Sequence, residues 1–371
     1  MRGNNILGIL FSNIGDNLIK DLTEKRTFGS VPFGGRYRMI DFPLSNMVNS
    51  GISKVAVITN RNYQSLMNHL GSGKSWDLSR RRNGLFLFPP FGNSRGDFHN
   101  RIEMIYSIAN FIKKSKEEYV LLSDCDVIFN INYEKVINSH IEKEADITLL
   151  STRGFLPKNT DRTMVFSQEY DGRITQIKIN PNIKTECCFG LNKTIMKKQL
   201  LLDLIHASIS NNKKNFDKDI LQKNVSRYRI FSYEFNKFNR VITSVSSYFE
   251  ANMQLINADV RRELFNSKSP IYTKIRDDMP TKYGIEANVR NSIVSDGCII
   301  EGTVENSIIS KGVKIGKGSK ITNSVIMQDT KIGENCNLNY IIADKDVEIK
   351  NDRLLMGFRS YPVYISKASK V

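Results

Sequence analysis

Short apolar runs alternate with longer mixed segments over about the first 250 residues. The runs are typical of buried strands, and the mixed segments carry apolar residues at helical spacing. The predicted strands are 5–11, 54–59, 119–122 and 147–150, and the predicted helices are 63–70, 102–113 and 133–144. Such alternation predicts an α/β domain with a mostly parallel sheet covered on both faces. Ligands of these sheets bind outside the carboxyl ends of the strands.

The pattern changes from about residue 285 onward. One aliphatic residue recurs every six positions, with a single five-residue step, and glycines punctuate the run. The recurring residues are Ile309, Ile315, Ile321, Ile326, Ile332 and Leu338. One inward aliphatic residue per hexad, with Gly or Asn at the corners, is typical of a β-helix. Each coil buries its aliphatic residue only by stacking on the next coil, so such domains often support oligomers.

Two domains joined by a short connection follow from this change of pattern. We expect the α/β domain at 1–248, a helix and linker at 249–284, and the β-helix at 285–371. Residues 248–265 are predicted to be one helix. Pro280 disfavours helix at Met279, so an extended linker is expected after that helix.

Composition narrows the classes of function. The 371 residues carry 54 Lys and Arg against 38 Asp and Glu, a formal net charge of +16. The basic residues are dispersed and no zinc-finger or RNA-binding signature accompanies them, so the charge favours anionic metabolites over nucleic acid. No apolar run is long enough to span a membrane, and 5–11 is predicted to be a buried first strand and not a signal peptide. The five Cys form no C-x-x-C pair, which indicates neither a zinc site nor disulfides and fits a reducing cytoplasm.

Several long motifs are specific to one family. Residues 31–46 (VPFGGRYRMIDFPLSN), 49–52, 297–307, 315–318, 323–330 and 344–347 resemble bacterial glucose-1-phosphate adenylyltransferases, that is, ADP-glucose pyrophosphorylases. The resemblance implies a Rossmann-like, GT-A-type nucleotidyltransferase domain followed by a left-handed parallel β-helix. It also implies a reaction in which ATP and glucose 1-phosphate give ADP-glucose and pyrophosphate, with Mg²⁺, for glycogen synthesis.

That reaction needs phosphate-handling groups that this sequence replaces. Active members of the family carry G-G-x-G-T-R-L after the first strand, and this loop aligns with 13–18. Backbone N–H groups of such a loop hold the triphosphate, and cations neutralise the phosphoryl charge. Here the glycine positions hold Asn13, Ile14 and Asp16, the one glycine is Gly15, the Arg position is Leu18, and the Lys of R-A-K-P-A-V-P is Phe28.

The remaining family positions are also altered. The loop near the nucleotide base, G-T-A-D-A, aligns with 100–104 and lacks its Gly and Thr. The sugar-phosphate motif E-K-P aligns with 179–181, so Asn180 stands in place of the Lys. The first Asp of D-F-G-x-D, a metal ligand in the family, is Asn215, although Asp217 or Asp219 could substitute. Asp126 is retained, either as a remnant metal ligand or as a strand-end residue kept for turn geometry.

Arg36 and Arg38 lie in the best-matched motif. In the family this stretch runs close to a site for anionic effectors between the two domains, so both are candidates to bind a phosphorylated metabolite. The alternative is structural: they form ion pairs with Asp41 or with a neighbouring subunit. The run 80–82 (Arg-Arg-Arg) is expected to be a solvated loop.

The resemblance and the replacements together predict a catalytically deficient, regulatory subunit of glucose-1-phosphate adenylyltransferase. It resembles the non-catalytic type that pairs with an active subunit in Gram-positive bacteria. A heterotetramer, the capacity to self-associate and the absence of bound Mg²⁺ are expected. One alternative is an active nucleotidyltransferase with relocated ligands Asp124, Asp126 and Asp219. A more distant one is a hexapeptide-repeat acyltransferase, which needs a catalytic His in the β-helix, whereas all the histidines precede it: His69, His99, His140 and His206.

Overall fold

A computed structural model of the chain describes residues 5–80, 83–90, 98, 100–158 and 162–371. As the sequence predicted, an α/β domain precedes a β-helix. The helices, in chain order, are α1 (Lys20–Thr23), α2 (Asp41–Asn49), α3 (Gln64–Leu70), α4 (Arg101–Ser107), α5 (Ala109–Lys114), α6 (Tyr133–Glu142), α7 (Lys198–Ser210), α8 (Val245–Gln254) and α9 (Ala258–Leu264). Shorter turns of 3₁₀ or π type lie at Asp16–Ile19, Phe28–Ser30, Lys74–Trp76, Phe216–Leu221 and Gln222–Asn224.

The α/β domain and the β-helix have separate strands. Those of the α/β domain are β1 (Ile6–Phe11), β2 (Pro32–Phe33), β3 (Tyr37–Arg38), β4 (Lys54–Ile58), β5 (Gly84–Phe88), β6 (Tyr119–Asp124), β7 (Val127–Phe129), β8 (Ile147–Gly154), β9 (Met164–Gln168), β10 (Ile174–Ile179), β11 (Cys187–Lys197), β12 (Ile230–Glu234) and β13 (Asn239–Val241). Those of the β-helix are β14 (Lys282–Tyr283), β15 (Asn288–Arg290), β16 (Ile293–Val294), β17 (Ile299–Ile300), β18 (Thr303–Glu305), β19 (Ile308–Ile309), β20 (Lys314–Ile315), β21 (Lys320–Thr322), β22 (Val325–Ile326), β23 (Lys331–Ile332), β24 (Asn337–Asn339), β25 (Ile341–Ala343), β26 (Glu348–Ile349), β27 (Leu354–Met356) and β28 (Val363–Ile365).

The central sheet is built around β1, whose residues are all buried. It pairs in parallel with β4 on one side and β6 on the other, and β5 extends the parallel half beyond β4. Antiparallel β11 joins β6 and carries β8 and β9 further out. Phe11, Ile58 and Asp124 lie side by side at the carboxyl end of β1, β4 and β6. The loops that follow these strands therefore converge at one edge of the sheet.

Two predicted helices are wrong in their extent. The segment 102–113 is two helices, because Ile108 leaves helical geometry and its N–H donates to Ile105 three residues back. The segment 248–265 is also divided, and its first helix starts earlier, at a Ser244 side chain that caps it. A second capping residue, Asn257, accepts the N–H of Asp259 and starts α9.

The β-helix consists of three parallel sheets of five strands, formed by residues 282–365. One coil takes 17 residues, as the pairing of Ile309 with Ile326 shows, and this length explains the five-residue step between the hexads. The six recurring aliphatic residues are all buried. Corner residues such as Asn306 and Asn323 have φ near 47° and 46°, a region that Asn tolerates better than most residues.

The two domains share buried contacts. Arg26 lies between α1 and the turn Phe28–Ser30. It donates 2.8 Å hydrogen bonds to both carboxylate oxygens of Asp344 in the last part of the β-helix. The Tyr364 hydroxyl donates to the same carboxylate at 2.6 Å. Phe249 of α8 packs on Tyr340 with ring centroids 6.2 Å apart. These contacts tie the β-helix both to the segment that follows the loop after β1 and to α8.

Candidate functional site

A cavity of about 650 Å³ lies at the carboxyl edge of the central sheet. The loop after β1, the end of β4, the start of α4 and the segment around Phe216 form its walls. Its lining residues are Asn13, Ile14, Gly15, Asp16, Asn17, Leu18, Asn60, Arg61, Phe98, Asn100, Arg101, Met104, Arg162, Ile179, Lys214, Asn215, Phe216 and Asp217. This is where a sheet of this topology binds its ligand. We call it the sheet-edge cavity.

Several polar groups of the loop after β1 are bonded within the loop or to the residues that follow β4. The Asn13 side chain accepts the Asn60 N–H at 2.7 Å and donates to the Asp16 carboxylate at 2.6 Å. The N–H of Asp16 donates to the Asn13 carbonyl, and the N–H of Leu18 donates to the Gly15 carbonyl. Gly15 has φ 96°, a left-handed conformation that favours glycine. These N–H groups are therefore bonded within the loop and are not presented to a phosphate.

Asp16 and Phe28 fix the position of the loop after β1. The Asp16 carboxylate accepts the backbone N–H of Phe28 at 2.8 Å. Burial raises the pKa of Asp16 to about 7, although its hydrogen bonds with Asn13 and Phe28 act against the rise. The Phe28 side chain is fully buried, and Leu18 is half-buried at the cavity wall. The two positions where active relatives carry cations therefore hold apolar side chains.

Asn180 lies beside the sheet-edge cavity and outside its lining, whereas its neighbour Ile179 faces the cavity. Asn180 has φ 50° and ends β10. It is bonded twice to Thr163: its N–H donates to the Thr163 carbonyl, and its side-chain oxygen accepts the Thr163 N–H. The side chain therefore bonds across the end of the antiparallel β9–β10 pair.

Asp126 is buried in a narrow recess next to the cavity. Its carboxylate accepts a 2.6 Å hydrogen bond from the Asn192 amide and lies 3.6 Å from the Lys193 ammonium. Burial raises the pKa of Asp126, against the opposing charge of Lys193. Asp126 directly precedes β7, and β13, which pairs with β7, contributes Val241 to the recess. The side chain contributed by β13 is therefore aliphatic and cannot be a metal ligand.

Asp124 is paired with two guanidinium groups. It accepts from Arg101 at 2.6 Å and from Arg162 at 2.7 Å. Burial acts to raise the pKa of Asp124, but the charges of Arg101, Arg162 and Lys193 outweigh it and hold this pKa below its ordinary value. Arg101 also pairs with Asp217 at 3.1 Å. The buried carboxylates at the floor of the cavity are thus neutralised by side chains of the chain itself.

Sequence reasoning assigned no role to Arg101, Arg162 or Lys193. Their pairing depends on contacts across 23, 38 and 69 positions of the chain, which one sequence does not reveal. One signal was available in the sequence: Lys193 lies in the middle of a strand whose other residues are mostly apolar. In the structure its side chain is 1% exposed. A buried Lys is rare unless it has a partner.

These residues do not fit a Mg²⁺ site. Among the described residues, no group of three or more His, Cys, Asp or Glu side chains could hold a metal ion. Asp219, one of the proposed relocated ligands, pairs instead with Lys223 at 2.8 Å and lies outside the cavity lining. A divalent ion beside Asp124 would also meet two guanidinium groups, and like charges 4 Å apart repel by about 4 kcal/mol per unit of charge. The geometry does not support relocated metal ligands.

A second cavity, of about 390 Å³, lies between the two domains. Cations from both sides line it: Arg36, Arg38, Lys274, Arg276, Lys311 and Lys345. We call it the interdomain pocket. The Arg38 guanidinium donates to Ser65, and Asp41 pairs with His69 at 2.6 Å, so Asp41 does not neutralise Arg38 through a direct ion pair. Burial, followed by the charges of Arg38 and Arg26, lowers the pKa of Lys345 to about 7.

Two further expectations concern single residue types. In the run 80–82, Arg80 is half-exposed and pairs with Asp77, while Arg81 and Arg82 lie outside the described residues. His69, His140 and His206 belong to the α/β domain, and His99 also lies outside the described residues. The β-helix sequence contains no His, so it lacks the base that a hexapeptide-repeat acyltransferase needs. Among the described helices, none has the length and apolar character to cross a membrane.

Comparison with known proteins identifies both domains. A model of the nucleotidyl transferase family matches residues 16–258, and a model of the GlmU-like C-terminal hexapeptide family matches residues 278–359. Glycogen biosynthesis protein GlgD of Bacillus subtilis is 36% identical over 99% of this chain and 97% of its own length. GlgD of Geobacillus stearothermophilus is 37% identical over 86% of this chain and 83% of its own length. Glucose-1-phosphate adenylyltransferase of the same organism is 32% identical over 82% of this chain and 79% of its own length.

Proposed function

Because the chain belongs to the bacterial glucose-1-phosphate adenylyltransferase family, together with the GlgD proteins, we propose that it is a regulatory, catalytically deficient subunit of that enzyme. In this role it assists the conversion of ATP and glucose 1-phosphate into ADP-glucose and pyrophosphate for glycogen synthesis. We further propose that it works in the cytoplasm. The domain limits 1–248, 249–284 and 285–371 are part of the proposal.

The self-bonded loop after β1 is the observation that carries this proposal. An active loop must leave its N–H groups free for phosphate oxygens, since these groups bind the developing charge. In this chain the N–H groups of Asp16 and Leu18 are bonded inside the loop, and Phe28 is buried beneath it. Removing one stabilising group from a catalytic site costs about 10²–10³ in rate. Several simultaneous losses leave little turnover, even though such effects are not additive.

Magnesium belongs, in this proposal, to the catalytic partner. The family reaction uses a divalent cation to align and neutralise the phosphates. In this chain Asp124 is held by Arg101 and Arg162, and Asp126 by Asn192 and Lys193. No step of the chemistry is assigned to a metal bound here.

The interdomain pocket supports a regulatory role. Arg36 and Lys345 line the pocket from opposite sides of the domain boundary, and the lining contains no carboxylate side chain. Two of its other cations, Arg276 and Lys311, form ion pairs with carboxylates outside the lining. Positive charge of this density favours a phosphorylated metabolite. An anion there would contact both domains at once and would therefore stabilise the arrangement of the two domains that binds it best. We propose Arg36 and Arg38 as part of this effector site.

Assembly is the second element of the proposed role. The family relationship supports oligomeric association, and stacked β-helix coils provide a rigid platform for it. We propose a heterotetramer with an active adenylyltransferase subunit, and a capacity of this chain to self-associate. Neither nucleic acid nor a membrane is among the proposed partners.

The test is an assay of ADP-glucose formation by the purified chain, by an active adenylyltransferase subunit of the same organism, and by their mixture. We expect negligible turnover from the chain alone, and a change in the partner's kcat or effector response in the mixture. The variant with Arg36→Gln and Lys345→Gln should retain assembly with the partner but lose its effect on the effector response. Turnover by this chain near the partner's level would refute the proposal.

A further inference from the structure

Matched charges lie at and behind the floor of the sheet-edge cavity. Arg101, Arg162 and Asp217 line it, whereas Asp124, Asp126 and Lys193 are buried outside its lining. Asp124, Asp126 and Asp217 meet Arg101, Arg162 and Lys193 at separations of 2.6–3.6 Å. The side chains of Asp124 and Lys193 are each 1% exposed. Arg101 is further enclosed between the rings of Phe11 and Phe216, with its central carbon 5.4 Å from each ring centroid. These cations are fixed parts of the fold.

The oxygens that remain are poorly placed for a metal. One oxygen of Asp124 and one of Asp126 are buried without a hydrogen-bond partner. A divalent ion needs several oxygens at about 2.0–2.6 Å around it. Here the Lys193 ammonium lies 3.6 Å from the unpartnered Asp126 oxygen, and two guanidinium groups hold the other oxygen of Asp124. Positive charge from these side chains is therefore already present where a metal ion would bind.

The walls of the cavity still carry an excess of cations. Arg61, Arg101, Arg162 and Lys214 line it, against the carboxylates of Asp16 and Asp217. Arg61 and Lys214 are exposed at the mouth, and Arg162 is 22% exposed. Guanidinium groups bind phosphate oxygens directly and do not need a metal to bridge them.

We propose that Arg101 and Arg162, with the buried Lys193 behind them, replace the divalent cation of the sheet-edge cavity, so that this cavity binds a phosphate ester without metal. The ligand class is a sugar phosphate or a nucleotide, and both fit a cavity of this volume. The site acts as a sensor of that ligand and performs no group transfer. This inference concerns the chain alone and does not depend on the proposed role as a subunit.

Titration calorimetry of the full-length chain tests the proposal with two probes, glucose 1-phosphate and ATP. Each is titrated in buffer with EDTA and in buffer with MgCl₂. Glucose 1-phosphate is the cleaner probe of the metal, because ATP binds Mg²⁺ in solution and changes its own charge. We expect at least one probe to bind in EDTA, and for glucose 1-phosphate a Kd within about twofold in the two buffers. Absence of binding by both, or binding only with Mg²⁺, overturns the proposal.

Variants locate the binding. Arg162→Gln should weaken binding in EDTA at least about tenfold, since it removes a charge-assisted contact. Arg61→Gln, at the exposed mouth of the cavity, should weaken ligand binding to a smaller extent. It replaces Arg162→Gln as the test variant if Arg162→Gln does not fold. Arg153→Gln is the matched control, because Arg153 pairs with Glu234 on the surface, and Lys345→Gln is the control for the interdomain pocket. Loss of binding in Lys345→Gln, with retention in both Arg162→Gln and Arg61→Gln, would assign the ligand to the other pocket and overturn the proposal.

A metal titration completes the test. Electron paramagnetic resonance with Mn²⁺ should detect no ion bound at the cavity floor of the wild-type chain. Lys193→Met removes one built-in cation and should create measurable Mn²⁺ binding. If the wild-type chain binds Mn²⁺ and Asp126→Asn abolishes that binding, the cations do not replace the metal and the proposal fails.

Discussion

Asp344→Asn is expected to weaken the attachment of the two domains strongly. The carboxylate of Asp344 and the guanidinium of Arg26 are 1% and 4% exposed, and two hydrogen bonds of 2.8 Å join them. Asn preserves the shape and one oxygen, so the Tyr364 hydroxyl keeps an acceptor. The charge of Arg26 then stays buried without its counter-ion. Breaking a buried pair in this way costs about 3–5 kcal/mol in the free energy of unfolding.

Urea unfolding can measure this loss domain by domain. Trp76 is the one Trp of the chain and is buried in the α/β domain, so its fluorescence follows that domain. Far-UV circular dichroism follows both domains. The double variant Arg26→Met with Asp344→Asn should regain part of the lost stability, because a neutral pair of similar volume removes the uncompensated charge. We expect a coupling energy of about 1–3 kcal/mol between the two substitutions.

An exposed pair provides the control. Arg229 lies 3.0 Å from Glu144, and both side chains are largely exposed, so Arg229→Gln should cost less than about 1 kcal/mol. The reasoning is refuted if Asp344→Asn costs no more than this control, or if the effects of Arg26→Met and Asp344→Asn add independently.

Three further outcomes are expected. Burial, followed by the charges of Arg38 and Arg26, lowers the pKa of Lys345 to about 7 from an ordinary 10.5, so the fold favours the neutral form and stability should rise as pH increases from about 7 to about 10.5. The thermal melting temperature of Lys345→Met should lose this dependence on pH. Sulfate binding to the interdomain pocket, measured by calorimetry, should weaken as pH rises above about 7. Ile321→Ala inside the β-helix should cost about 2–5 kcal/mol in urea unfolding, whereas the fully exposed Ile285→Ala should change it little; equal losses would contradict the stacked-coil core. Asp16→Gly, Leu18→Arg and Phe28→Lys together should not restore ADP-glucose formation in a coupled pyrophosphate assay, because Arg101 and Arg162 still hold Asp124; recovery of turnover would show that the loop alone is deficient.

Local patterns predicted most of the architecture. The hexad spacing of Ile309 to Leu338 follows directly from the 17-residue coil, because each sheet of the β-helix receives one inward residue per coil. The first strand and the alternation of strands and helices are similarly local. The helix breaks at Ile108 and Asn257 were missed, because apolar spacing continues across both positions while the backbone turns there.

At the candidate site, the sequence predicted only which phosphate-binding residues are replaced. Replacements such as Leu18 and Phe28 are visible in an aligned motif, since each side chain lacks the charge that the chemistry needs. What replaces them is set by contacts distant in sequence. Arg162 reaches Asp124 over 38 positions, and Asp344 reaches Arg26 over 318. A pairwise contact of that range leaves no periodic signal along the chain.

The distribution of charge differs between the two cavities. At the sheet-edge cavity Asp124, Asp126 and Asp217 each have a fixed cationic partner, so their charges are balanced without a ligand or a metal. In the interdomain pocket Arg36, Arg38 and Lys345 line one cavity, and burial, followed by the charges of Arg38 and Arg26, lowers the pKa of Lys345. An anion bound there would favour the protonated ammonium of Lys345 and so restore its charge. Lys345 directly follows Asp344, the partner of Arg26, so an anion that recharges Lys345 acts next to the contact that joins the β-helix to the loop after β1. In the proposed role, the effect of a bound anion would therefore reach the β-helix through the 26–344 pair.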